Sequence, residues 1–326
     1  MIVSDKNKKI MKKTAIVITL GKHHVHYCKA LIASIEFFNP ELPIVIIKDG
    51  VFNTKSLEKR KNVSVVNSKE INKIHQLDLY ILLNKLNILF LPQIGFDFDC
   101  YIHLDADSIL TNPIEYEFFN QESDFFILQG NIIKKNDNEK MNNLAHYAFN
   151  LLDFPEYSFD DNELYFFSAS HIAINKRIIP KLIELLKKHR YELNKEFIND
   201  KRIRFNDQGF LNLMINYLSH IKEIVVKIKD MGIYGKQAAK DFPKLTLENI
   251  KNKIDTEVMF IHYTAPSRKV TMKAHNFGDL LDYFLRLFYN NGYLFYIDEN
   301  LRYARHYRDW FWKRAKNKLK HISKKI

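Results

Sequence analysis

The segment Tyr101-Ile102-His103-Leu104-Asp105-Ala106-Asp107-Ser108-Ile109-Leu110 constrains this chain more tightly than any other. An apolar run with strand character ends in two carboxylates one residue apart. At i and i+2 on an extended backbone, two side chains face the same way. Left unpaired, they would repel each other and lose hydration, so a cation is their natural partner. Oxygen ligands suit Mg²⁺ or Mn²⁺, which leave coordination positions for substrate phosphates. The competing reading is a turn that carries two solvated acids. Parallel sheets present ligands at the carboxyl ends of their strands, so the motif asks for an α/β sheet with this strand near its centre.

The rest of the chain supplies such a sheet. Residues 14–20 are rich in β-branched side chains and read as a first strand. Residues 26–38 follow a helical period and stop at Asn39-Pro40. Further strands are expected at 43–47, 63–66, 100–104, 125–128, 172–174 and 258–262. Residues 77–91 read as a buried helix ended by Pro92, and 178–193, 208–219 and 277–289 as later helices. The β-α-β order predicts a mixed, mostly parallel sheet flanked by helices. Residues 130–164 are polar and read as a loop and helix over the sheet edge.

Of 326 residues, 46% are hydrophobic, which excludes a mainly disordered chain. Two cysteines, Cys28 and Cys100, exclude a disulfide framework and favour a reducing compartment. The formal charge of +12 is unevenly spread. Residues 302–326 carry ten Lys/Arg against Asp309, and residues 1–13 carry five Lys against Asp5, so 14–301 is nearly neutral. A neutral body argues against nucleic acid as a partner. The expected division is a basic extension (1–13, with Met11 an alternative start), one domain (14–300) and a basic tail (301–326). No run is long and apolar enough to span a membrane. The Lys-rich start and short apolar run 15–20 imitate a signal peptide but read better as the first strand.

Two enzyme classes share a strand that ends Asp-x-Asp. In phosphatases of the haloacid dehalogenase type the first Asp, here Asp105, would be a nucleophile. That motif normally closes the first strand of its domain, whereas here about ninety residues of β/α structure come first. Position favours the second class, the nucleotide-sugar transferases.

Six segments in order resemble the GT-A-fold glycosyltransferases, in particular glycosyltransferase family 8, which includes bacterial lipopolysaccharide hexosyltransferases. The strand at 15–20 with Tyr27-Cys28-Lys29-Ala30-Leu31 is similar to the family's uridine-binding start, which implies a nucleotide contact for Tyr27. Lys85-Leu86 stands where members carry Arg-Leu, which implies a donor-binding cation at Lys85. Phe98 to Asp107 is similar to the metal-binding strand. Phe166-Phe167-Ser168-Ala169-Ser170-His171 resembles the sugar-side strand, with Ala169 near the donor and Ser168 and Ser170 where Asn and Gly are usual. Asn206-Asp207-Gln208 resembles the catalytic Asp-Gln at a helix start. Phe260-Ile261-His262-Tyr263-Thr264-Ala265-Pro266-Ser267-Arg268-Lys269 resembles the closing motif. The resemblance implies His262 as third metal ligand, and Arg268 with Lys269 as diphosphate ligands.

The expected chemistry is transfer of a hexose, with retained configuration, from a UDP-sugar to a glycan or glycolipid hydroxyl in surface-glycan synthesis, assisted by Mn²⁺ or Mg²⁺. A degenerate protein that binds the sugar nucleotide without transferring it is the other alternative. In the tail, Tyr303, Tyr307, Trp310, Phe311, Ala315, Leu319, Ile322 and Ile326 share one helical face and the cations fill the rest. That is an interfacial-helix pattern, and it predicts a peripheral protein on the cytoplasmic face of an anionic membrane.

Overall fold

The computed structural model describes residues 14–74, 81–115, 123–154, 163–188, 207–263 and 276–301, with isolated residues between and beyond them. Among the described residues, seven strands form the main sheet: β1 (Thr14–Gly21), β2 (Ile44–Asp49), β3 (Val63–Asn67), β4 (Cys100–Leu104), β6 (Phe125–Ile127), β9 (His171–Asn175) and β10 (Val226–Ile228), in the order β10-β6-β9-β4-β1-β2-β3. β9 runs antiparallel to β4 and β6, and the other pairings are parallel. A second sheet joins β5 (Ser108–Leu110), β11 (Gly232–Tyr234) and β12 (Phe260–His262), and β7 (Gly130–Lys134) pairs with β8 (Glu163–Phe167).

Each central strand alternates its side chains between two cores, as the pleat requires. Ile16, Ile18, Ile44, Ile46, Ile102 and Leu104 enter one core with helices α1 (Val25–Phe38) and, late in the chain, α5 (Gly278–Phe288). Val17, Val45, Ile47 and Tyr101 enter the other core with α3 (Ile179–Lys188) and α4 (Asp207–His220). Lys29, buried on α1, bonds Tyr289 and lies 3.4 Å from Asp298, which ties the segment after α5 to the first helix.

The polar stretch after β6 holds more structure than expected. It contains β7, helix α2 (Asn138–Tyr147) and β8 rather than a loop and helix alone. Two buried asparagines of α4 pair with β8 as a neighbouring strand would. Phe167 N donates to Asn212 Oδ1 (3.1 Å) and Phe167 O accepts from Nδ2 (2.9 Å); Tyr165 and Asn216 repeat the pattern at 2.7 and 2.9 Å. Four helical residues advance about 6 Å and two strand residues about 6.7 Å, so the i, i+4 and i, i+2 spacings match. Asn212→Ala should therefore cost about 2–3 kcal/mol, because two buried main-chain groups lose their partner. Urea denaturation would read that loss.

The segment before β4 also differs from expectation. It is wound as a 3-10 helix over Ile81–Ile94 and carries Pro92 inside it instead of ending there. Residues 77–80 of the expected helix lie outside the described residues.

Candidate active site

Strand β4 ends at Leu104, at the point where the chain order of the sheet reverses between β1 and β4. Such a switch point opens a crevice at the carboxyl edge. Asp105 keeps the parity of Tyr101 and His103, so its side chain emerges on the face covered by the 3-10 segment and α4. Asp105 and Asp107 do not stand on one extended strand as expected. Residues 106 and 107 form a turn closed by Ser108 N to Asp105 O (3.1 Å), because β5 leaves immediately for the second sheet. The two carboxylates converge by this turn and not by pleat geometry.

Main-chain bonds fix both acids from either side. Asp105 N donates to Ser170 O at 3.0 Å, and Tyr263 N donates to Asp107 O at 2.8 Å. The antiparallel register sets His262 opposite Ser108. His262 Nε2 thereby lies 3.7 Å from Asp105 Oδ2 and 3.5 Å from Asp107 Oδ1. One donor atom from each of Asp105, Asp107 and His262 lies within 4.8 Å of the others. Ligands about 2.0–2.6 Å from a common ion can be no farther apart than about 5 Å, so the three fit one hard divalent cation, with room for further oxygens.

Lys85 reaches the same cluster from the 3-10 segment. Its Nζ is 2.8 Å from Asp105 Oδ1, 3.5 Å from Ser170 Oγ and 3.8 Å from Asp207 Oδ2. Burial pulls the Lys85 ammonium down, but the carboxylates of Asp105 and Asp207 more than reverse this and raise it above its ordinary value. Burial pushes Asp105 up, yet Lys85, then His262, hold it well below the usual carboxylate range. Asp207 responds oppositely: burial pushes it up to about 6 against the pull of Lys85. Gln208, beside it, donates from Nε2 to Tyr147 O at 3.0 Å.

Two buried histidines back the cluster. His103 Nε2 lies 3.3 Å from Thr19 Oγ1, and His171 Nε2 lies 2.8 Å from Ser108 Oγ, its ring stacked on Phe260. Burial lowers both, His103 to about 4. Between about 6.5 and 4 the unfolded chain therefore binds protons that the fold refuses, so stability rises with pH in that window. Asp207 acts with the opposite sign between about 4 and 6, as do Glu36 and Asp230, which burial also raises, so comparison of the wild-type protein with His103→Gln isolates the share of one imidazole. For His103 alone the shift corresponds to about 3 kcal/mol. The metal-free protein should lose stability steadily from pH 7 to 5 in urea titrations, with a shallower slope in His103→Gln.

The structure thus gathers Lys85, Asp105, Asp107, Asp207 and His262 in one place. Ala169 is 1% exposed in the turn between β8 and β9, beside Ser170. Tyr27, expected at the nucleotide, is 2% exposed and packs in the core with its ring 6.2 Å from that of Tyr263. Arg268 and Lys269 lie outside the described residues. A pocket of about 470 Å³ opens beside the cluster, lined by His262, Ser170, Ser168 and Gln208. Its other walls, including Gln129, Asp230 and Tyr234, were not singled out from sequence. Gln129 follows the apolar run 125–128 as Asp105 follows 100–104, and that signal could have found it.

No protein-family profile matches the sequence, and no curated protein matches it. Solved structures do. The bifunctional glycosyltransferase WbbM superposes with a TM-score of 0.54 at 17% identity over 83% of this chain. The chain spans about half of WbbM, 49% of its length. The galactosyltransferase LgtC, solved with donor and acceptor sugar analogues, aligns at 14% identity over 85% of this chain and 95% of its own, with a TM-score of 0.47. GlyE of Streptococcus pneumoniae TIGR4 aligns at 15% identity over 84% of this chain and 61% of its own, with a TM-score of 0.44. The chain has a glycosyltransferase fold of the GT-A type, a mixed α/β architecture with a mostly parallel central sheet flanked by helices.

Proposed function

We propose that the protein is a metal-dependent glycosyltransferase that moves a hexose from a UDP-sugar to a hydroxyl of a glycan or glycolipid. The observation that carries this reading is the convergence of Asp105, Asp107 and His262 within 4.8 Å, with Lys85 against Asp105, at the carboxyl edge of the sheet. Mn²⁺ or Mg²⁺ bound by these three residues would neutralise charge that develops on the departing diphosphate. Lys85 supplies a fixed positive charge to the same oxygens. The bond between the anomeric carbon and the diphosphate breaks, and UDP leaves with the electron pair. The acceptor oxygen bonds to that carbon and passes its proton to the leaving phosphate oxygen. The Gln208 amide is a poor nucleophile, which favours attack on the face of departure and hence retention. Asp207 would orient sugar hydroxyls, and Arg268 and Lys269 would bind the diphosphate.

The test is a panel of UDP-sugars with UDP release measured with and without Mn²⁺. Release that requires the metal is expected from at least one donor. Absence of release from all of them, with Mn²⁺ present, would refute the reading.

The described part of the C-terminal region supports a membrane-surface role. Among the described residues no helix is long and apolar enough to cross a membrane. Tyr293, Leu294, Phe311 and Trp312 are each more than 60% exposed in a stretch that runs into ten Lys/Arg. Exposed aromatics with cations bind anionic lipid, which fits a lipid-linked acceptor at the cytoplasmic face and a role in bacterial lipopolysaccharide or surface-glycan synthesis. Deletion of 302–326 should weaken flotation with anionic liposomes while donor hydrolysis persists.

A further inference from the structure

His262 turns Nε2 toward the two carboxylates, yet among the described residues its buried Nδ1 has no hydrogen-bond partner. A histidine that ligates a metal is usually aimed by a bond from that second nitrogen to a carboxylate, a carbonyl or water. In place of such a bond, two rings lie against His262. Tyr234 is tilted to it with ring centroids 5.8 Å apart, and His171 meets it edge to face at 4.7 Å and 63°.

Of the two, His171 is held from both sides of the site. Its ring stacks on Phe260 at 4.0 Å and 9°, and its Nε2 lies 2.8 Å from Ser108 Oγ. Phe260 and His262 stand two residues apart on β12 and so share a face. Ser108 is the cross-strand partner of His262 on β5 and shares that face too. One ring therefore touches the residue after Asp107, the ligand His262 and the platform between β12 and the main sheet. His171 opens β9 opposite Leu104, the residue before Asp105, and the Ser170 carbonyl just ahead of it accepts from Asp105 N. It sits where the sheet that carries Asp105 meets the sheet that carries His262.

The position is costly for an imidazole. His171 is fully buried, and its Nδ1 has no hydrogen-bond partner among the described residues. A leucine or phenylalanine would fill the space without that penalty. Packing alone does not account for the residue type, whereas the contacts with Ser108 and His262 do.

We propose that His171 is a positioning residue of the metal centre: its ring holds the His262 imidazole with Nε2 toward Asp105 and Asp107, and its bond to Ser108 fixes the turn that carries Asp107. The inference rests on the metal-dependent reading.

Calorimetric titration with Mn²⁺ gives the affinity, and pulsed electron paramagnetic resonance of bound Mn²⁺ reports whether an imidazole nitrogen is coordinated. His171→Leu should weaken Mn²⁺ binding about tenfold or more and diminish the nitrogen coupling, a signature that general destabilisation does not move selectively. His171→Phe keeps a ring on Phe260 and loses only the bond, so it should weaken binding about threefold and keep the coupling. Ser108→Ala removes the same bond from its other end. It should also cost about threefold, and nothing more when combined with His171→Phe. Full nitrogen coupling in His171→Leu, wild-type affinity in both His171→Phe and Ser108→Ala, or losses in those two that multiply when combined would overturn the proposal. Where His171→Leu does not fold, the last two results decide alone. A wild-type protein that binds no Mn²⁺, or binds it without nitrogen coupling, refutes the metal centre itself, an outcome seen before any variant is made.

Discussion

Asp107→Asn is expected to lower transfer by about a thousandfold, because a divalent cation held by one carboxylate fewer would be lost from beside the departing diphosphate. The side chain is 2% exposed and points at His262 Nε2, and asparagine fills the same volume without the charge. The backbone at this position does not depend on the carboxylate, since Asp107 O is held by Tyr263 N and Ser108 continues into β5. Fold and chemistry are therefore separable here more cleanly than at Asp105, whose carboxylate also neutralises Lys85. Calorimetry should find Mn²⁺ affinity lost and thermal denaturation should find the metal-free fold retained. Activity within about twofold of wild type would remove the metal centre from the mechanism.

The strands of the main sheet were legible because runs such as Ile44 to Ile47 and Cys100 to Leu104 bury both faces and leave one reading for their hydrophobicity. Their neighbours were not. Periodicity identifies an element and not its partner, so nothing in His171 to Asn175 announced that it would run antiparallel between β4 and β6. The three-residue strands β5 and β11 are too short to carry a pattern, and β5 is what turns Asp107 toward His262. The stretch 130–164 concealed β7 and β8 because β7 is largely exposed and carries no apolar alternation, and the second edge of β8 is answered by the side chains of Asn212 and Asn216 instead of a third strand. At the site, Asp105, Asp107 and His262 were readable from residue type and order. The neutralisation of Asp105 by Lys85 was not, because it depends on which face of β4 the 3-10 segment covers. Gln129 escaped notice because an uncharged amide at a strand end carries no electrostatic signature until its burial is known.

Lys85→Met should destabilise the metal-free protein by about 2–4 kcal/mol, and Mn²⁺ should return most of that loss. In the wild-type structure a single ammonium faces Asp105 at 2.8 Å and Asp207 at 3.8 Å. It acts as the resident cation of an acidic cluster, so a metal that takes up Asp105 must compete with it for the same oxygens. Methionine keeps the length of the side chain without the charge. The carboxylates then lose their counter-ion in a partly desolvated crevice, which costs more than the pair contributes when intact. Burial, already the largest influence on Asp105 and Asp207, would act without the opposing pull of Lys85 and push both upward. An acid whose folded value is raised stabilises the fold as pH falls, so the metal-free variant should recover stability on moving from pH 7 toward 6 relative to wild type. A divalent ion offers the same compensation at neutral pH, and the thermal shift caused by Mn²⁺ should be larger in the variant than in the wild-type protein. Transfer should stay about a hundredfold low with metal present, because the fixed charge beside the diphosphate is gone. Equal Mn²⁺ shifts in the two proteins would mean that Lys85 and the metal do not share Asp105.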